Sequence, residues 1–83
     1  MKWLDKLLSK FGYVRMDSIR IYPEFKEHPP RSDKMMIKRA IYRVVGQFEQ
    51  PIIINKLNYL EDGYTSYLIA KEENFKYVKV KRI

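Results

Sequence analysis

The stretch from Pro51 to Ile83, PIIINKLNYLEDGYTSYLIAKEENFKYVKVKRI, reads as strand, turn, strand, glycine-marked corner, helix and strand. Pro51-Ile52-Ile53-Ile54 has no polar alternation, which predicts a central strand covered on both faces. Lys56-Leu57-Asn58 is a turn, and Tyr59-Leu60 is a short strand leading into the corner. Asp62-Gly63-Tyr64-Thr65-Ser66 lies where strand gives way to helix. Backbone N–H groups there lack intrahelical partners, and anions bind such corners where the side chains allow it. Asp62 is placed to cap the helix through the N–H of Thr65, and Gly63 can take backbone angles that other residues resist. Thr65 and Ser66 add hydroxyls where a phosphate would sit. The plain alternative is a capped strand-to-helix turn with no ligand. In the helix that follows, Tyr64, Tyr67, Leu68 and Ala70 share a broad face while Ile69 falls outside it. This predicts packing on two sides, against the sheet and the amino-terminal helix. In the last strand Val78 and Val80 face one way and Tyr77, Lys79 and Lys81 the other; lysines on a terminal strand guard against edge-to-edge pairing.

Upstream, Asp33 to Gln47 has helical periodicity, capped by Ser32 or Asp33 and ended by Gly46 and Pro51. Ile37, Ala40, Ile41, Val44, Val45 and Phe48 form a stripe predicted to face the core. Lys38, Arg39 and Arg43 take the outer side, with Tyr42 between them and Lys34 and Arg31 extending the patch. Before that, Met16 to Tyr22 alternates as a half-buried strand, and Glu24 to Pro30 reads as a loop beyond Pro23. Residues 2–11 form an amphipathic helix in which Trp3, Leu4, Leu7, Leu8 and Phe11 share one arc. That arc either packs on the domain's own core or drives self-association with a sister subunit. Docking to another protein is a further option, and a membrane surface is disfavoured by the helix's shortness and by Asp5. The organisation is therefore a helix over residues 1–12 and one domain over 13–83. The fold class is α+β: a small mixed β-sheet with two packed helices plus the amino-terminal helix. If the Met16–Tyr22 and Pro51–Ile54 strands are parallel, the link between them is a right-handed crossover.

With 83 residues and 46% apolar side chains there is one core, fed by one Trp, seven Tyr and four Phe. The absence of cysteine excludes disulfides and thiolate metal sites. His28 is the only histidine, a loop residue without a second imidazole. No apolar run approaches the roughly 20 residues that span a bilayer, and the amino terminus lacks the features of a signal peptide, so a cytoplasmic location is expected. The net charge is +7, and residues 1–45 hold most of it. Such a balance favours anionic partners, either nucleic acid or an acidic protein.

Taken in order, His28-Pro29-Pro30-Arg31, Gly46 through Pro51-Ile52-Ile53-Ile54, Leu60-Glu61-Asp62-Gly63-Tyr64-Thr65-Ser66-Tyr67-Leu68-Ile69-Ala70-Lys71 and Val78-Lys79-Val80 resemble the ParB/sulfiredoxin-like domain. The resemblance covers about residues 16–83 and leaves out the first helix. It implies a glycine corner that binds nucleotide phosphates, with Arg31 at the family's proline-arginine position facing the same cleft. It also marks departures. Partitioning members carry adjacent arginines, and sulfiredoxins a reactive cysteine, where this chain has Tyr64, Thr65 and Ser66. The DNA-recognition region of partitioning proteins is expected to be absent after Ile83. The terse opening MKWLDKLLSKFGY is similar in style to small proteins of bacterial phage or mobile elements.

Three readings follow. The first is a non-enzymatic accessory module that binds nucleic acid or an acidic protein through Lys34, Lys38, Arg39, Tyr42 and Arg43, where cations and an aromatic suit phosphates and bases. The second is a residual nucleotide-binding or nuclease-type enzyme using Arg31 and Asp62 to Ser66. The third is an assembly piece that associates through Trp3, Leu4, Leu7, Leu8 and Phe11. No acid–base or nucleophilic set stands out: Glu61 and Asp62 are strand neighbours that point apart, and Glu72 and Glu73 read as solvated helix-end acids. No cofactor or metal is expected.

Overall fold

The computed structural model describes residues 2–83; Met1, the first residue of the expected amino-terminal segment, lies outside them. The elements are α1 (Lys2–Lys10), β1 (Tyr13–Arg15), α2 (Pro23–Glu27), α3 (Ser32–Val45), β2 (Ile52–Ile54), β3 (Leu60–Asp62), α4 (Tyr64–Glu72) and β4 (Tyr77–Arg82). The sheet is mixed, in the order β1-β4-β2-β3. β1 and β4 are antiparallel, with Tyr13 opposite Lys79 and Arg15 opposite Tyr77. β4 and β2 are parallel, with Ile52 opposite Val80 and Ile53 opposite Lys81. β3 closes the other edge, antiparallel to β2. The architecture is the α+β class expected, with helices on a small mixed sheet.

The core forms where the uninterrupted isoleucines meet the valines of β4. Ile52, Ile54, Leu60, Val78, Val80, Ala70 and Ile19 make one buried cluster, with Phe25, Phe48, Tyr64, Tyr67 and Phe75 packed around it. Each fully buried Ile or Leu in it is worth roughly 1.5–3 kcal/mol relative to exposure. Ala70 joins this cluster, whereas Ile69 is buried outside it, and α4 packs against α3 as well as β2. The two-sided packing of α4 is thus present, but its second neighbour is α3 rather than the amino-terminal helix.

Five local readings need correction. The Met16–Tyr22 segment is not a strand. Met16–Ser18 forms a turn of 3-10 helix, in which the Ser18 hydroxyl donates to the Arg15 carbonyl at 2.7 Å. Arg15 also forks onto Asp17 at 3.1 Å. Only Arg20 bridges to the sheet, beside Tyr59, so the parallel neighbour of β2 is β4, reached through β3 and α4. Pro23 starts α2 rather than a loop, because a missing N–H costs nothing in the first helical turn. The helix α3 has Arg31 at its amino-terminal cap position with no side-chain cap bond, while Gly46, in the left-handed region at φ 80°, ends it as expected. β4 is an interior strand, so Lys79 and Lys81 guard no edge. The fifth correction is the largest: of the stripe that periodicity assigned to the core, Phe48 packs there and Ile41 is half-buried, but the other four members face solvent. Met36, Ile37, Val44 and Val45 are 62%, 58%, 86% and 63% exposed, and Ala40 is exposed with them. Met35 is the helix's buried residue.

The helix α1 lies at the β1 edge. Leu4 and Leu8 are half-buried while Trp3, Leu7 and Phe11 are exposed. Its anchor is polar: the Tyr77 hydroxyl donates to Asp5 at 2.6 Å. This bond, more than burial, raises the Tyr77 pKa above the usual phenol value. Among the described residues, no helix is long and apolar enough to cross a membrane.

Candidate functional site

Asp62 to Ser66 lie at a β-to-α junction, and the reason for the glycine is packing. Gly63 has φ 86°, and a β-carbon added there would sit 2.9 Å from the Ile52 Cα and nearer still to the Pro51 carbonyl oxygen. The start of α4 therefore presses directly on the start of β2. Asp62 does not cap through Thr65; its carboxylate accepts from the adjacent Gly63 N–H at 2.8 Å. Thr65 and Ser66 are both buried. The Ser66 hydroxyl donates to the Gln50 carbonyl at 2.7 Å, tying α4 to the chain just before β2. Tyr64 packs against Phe25 of α2 at a centroid distance of 5.1 Å and stacks near Tyr67 at 6.2 Å. Burial, and then the neighbouring Tyr64, push the Tyr67 phenol pKa up. Arg31 is well exposed and pairs with Asp33 of its own helix at 3.2 Å. The hydroxyl of Ser66 is thus already engaged within the fold, while Arg31 makes one exposed ion pair, to Asp33.

The cations of α3 are engaged too. Arg39 forms a two-pronged bond to Glu72 at 2.8 and 2.9 Å, Arg43 pairs with Glu73 at 3.4 Å, and Lys38 pairs with Glu49. The bond from Arg39 holds the Glu72 carboxyl below its ordinary pKa. Tyr42 meets Phe48 edge-on at 4.8 Å and Phe75 at 5.9 Å. Lys38, Arg39 and Tyr42 are thus half-buried and the cations are matched, Arg39 and the more exposed Arg43 by acids at the end of α4 and Lys38 by Glu49 in the loop after α3. Lys34 is exposed and takes part in none of the ion pairs among the described residues. A signal for the arginine pairing was present in the sequence: Arg39 and Arg43 stand one helical turn apart, and Glu72-Glu73 close the next helix.

Two surfaces visible in the sequence are given roles there that the structure does not bear out. One is the exposed stripe of α3. The other is the sheet face opposite Val78 and Val80. Alternation and register place Tyr13, Arg15, Tyr77, Lys79 and Lys81 on that face. A groove of about 570 Å³ adjoins it, lined by Tyr13, Tyr77, Lys79 and Lys81 together with the aromatic ring cluster of Phe48 and Phe75. Among the described residues, no group of three His, Cys, Asp or Glu could hold a metal ion.

No protein-family model matches the chain, and no curated protein does. Solved structures do match. The structure of a Pnob8-like ParB-N domain shares 28% identity with a TM-score of 0.69, covering 84% of this chain and 28% of its own. A second structure, of a pNOB8-like ParB N-domain, shares 27% identity with a TM-score of 0.67, covering 84% of this chain and 25% of its own. This chain therefore spans only about a quarter of those chains' lengths. The order of elements, the glycine junction before α4 and these similarities lead to one conclusion: the chain has a ParB N-domain-like fold.

Proposed function

We propose that this chain is a non-enzymatic accessory module that docks an acidic protein partner along the outer face of α3. The observation that carries this reading is the stripe of Met36, Ile37, Ala40, Ile41 and Val44. At about 100° per residue these five fall within one arc of the helix, and all but the half-buried Ile41 are exposed. Small monomeric domains rarely leave such a continuous apolar face uncovered. Lys34, in no ion pair among the described residues, borders it on one side, and the whole chain carries +7. An amphipathic helix with acidic flanks matches that surface in both shape and charge. Nucleic acid on the inner, basic side of α3 is less well supported, since Lys38, Arg39 and Arg43 already face carboxylates. The engaged hydroxyl of Ser66 likewise argues against phosphate chemistry at the corner. In this reading the module works in the cytoplasm.

The test uses a designed helical peptide with a leucine face flanked by glutamates. Saturable binding is expected, weakened at least about tenfold in the double variant Ile37→Asp, Val44→Asp. Because both side chains are exposed, each substitution should change stability by no more than about 0.5 kcal/mol. The double variant Trp3→Asp, Phe11→Asp should leave peptide binding intact. A second reading, association of two copies through α1, rests on the exposure of Trp3, Leu7 and Phe11. It predicts a dimer mass in solution that the α1 variant converts to monomer. Peptide binding unchanged by the α3 variant, or no binding, overturns the docking proposal.

A further inference from the structure

We propose that the part of this sheet face where Tyr13, Lys79 and Lys81 are exposed, beyond the contact of α1 with Tyr77 and Arg15, is a site for single-stranded nucleic acid. This is independent of the α3 surface. The observation is the position of β4. It pairs on both sides, antiparallel with β1 and parallel with β2, yet alternate residues on one of its faces are lysines that solvent reaches. Val78 and Val80 are buried on the core face, while Lys79 and Lys81 are exposed on the other. Neither lysine is in an ion pair among the described residues. The carboxylates near this face are already taken: Asp5 bonds Tyr77 and neighbours Arg15, and Asp17 holds Arg15.

The aromatic residues beside these lysines make the site more than a charged patch. Tyr13 lies directly across from Lys79 and is 37% exposed. Tyr77 is two residues before Lys79 on the same face, its ring oriented by the Asp5 bond. All four residues border one groove, whose wall also includes residues of the core side of β4, Val78 and Val80. Residues two apart on a strand are separated by about 6.6–6.8 Å, a step that suits successive phosphates of an extended strand. A base laid on Tyr13 therefore has a cation beside it for its phosphate. Stacking of this kind is available only to bases released from a duplex, since paired bases hide their faces from the protein. An acidic peptide would satisfy the lysines but leave the rings unused.

The test is fluorescence anisotropy with a labelled oligothymidylate of about 15 nucleotides, against a blunt duplex of equal length and polyglutamate as competitor. Two neutralised phosphates imply roughly sevenfold weaker binding between about 50 and 200 mM salt. The double variant Lys79→Gln, Lys81→Gln should abolish most of that salt dependence and lower affinity at least about tenfold. Tyr13→Leu should weaken binding about 5- to 150-fold, the loss of one stacked base, while Tyr13→Phe retains it. The α3 double variant should bind as the unaltered protein does, so this outcome and that of α3 docking are read separately. The proposal is overturned by no binding, by equal affinity for the duplex, by equally effective displacement by polyglutamate, or by indifference to Tyr13→Leu.

Discussion

Replacing Gly63 by alanine is expected to lower the melting temperature by about 12–24 °C. Two costs add. A left-handed backbone is unfavourable for a residue with a β-carbon, by about 1 kcal/mol or more. The added carbon would also overlap the Pro51 carbonyl and crowd the Ile52 Cα. Those are backbone atoms at the entry and first residue of an interior strand, so no side-chain rotation relieves the overlap, and such crowding costs about 1–3 kcal/mol. The sum, roughly 3 kcal/mol, is a large part of the roughly 4–12 kcal/mol that a chain of this length holds. Thermal unfolding followed by circular dichroism measures it, and a drop under about 5 °C would contradict this account of the corner. The same geometry makes Gly63 variants poor probes of nucleotide binding, because they break the fold. Arg31→Ala is the cleaner probe, since Arg31 is exposed and contacts only Asp33 in the ion pairs described.

Ile54→Ala and Ile37→Ala are the same chemical change with opposite expected results. Ile54 is fully buried between the neighbours of β2, with Leu60, Ala70 and the β4 valines around it. Truncating it removes transfer energy and leaves a cavity that a short, well-packed strand cannot collapse into, at a cost of about 2–5 kcal/mol. Ile37 stands in solvent, and its truncation should stay within about 0.5 kcal/mol. Chemical denaturation at constant slope gives both numbers. If Ile37→Ala costs as much as Ile54→Ala, α3 is turned the other way.

What the sequence reveals and what it hides have separate physical causes. The Ile52–Ile54 run, the glycine junction at 63 and the Gly46 stop are legible because each is a local event: an unbroken apolar triplet, a forced backbone angle, a helix end. The strand expected over Met16–Tyr22 fails because Ser18 and Asp17 bond to nearby groups and curl the backbone before the alternation can pair. The period of α3 is right and its sense is reversed. Periodicity locates a stripe but does not say which stripe is covered, and pairing with Glu49 and Glu72 holds Lys38 and Arg39 on the inner side. The lysines of β4 mislead for a similar reason. A strand near the chain's end has no need to be at the sheet's edge, and only long-range pairing places it between β1 and β2.

The outward orientation of α3 is what the proposed docking surface requires. Methyl NMR of the dilute monomer with a soluble paramagnetic reagent measures it directly, by comparing Met36, Ile37 and Val44 with Ile52, Ile54 and Val78. Strong relaxation of the first three, with the second three shielded, is the result expected. Equal shielding of both sets would contradict the account and remove the surface on which a partner is proposed to dock.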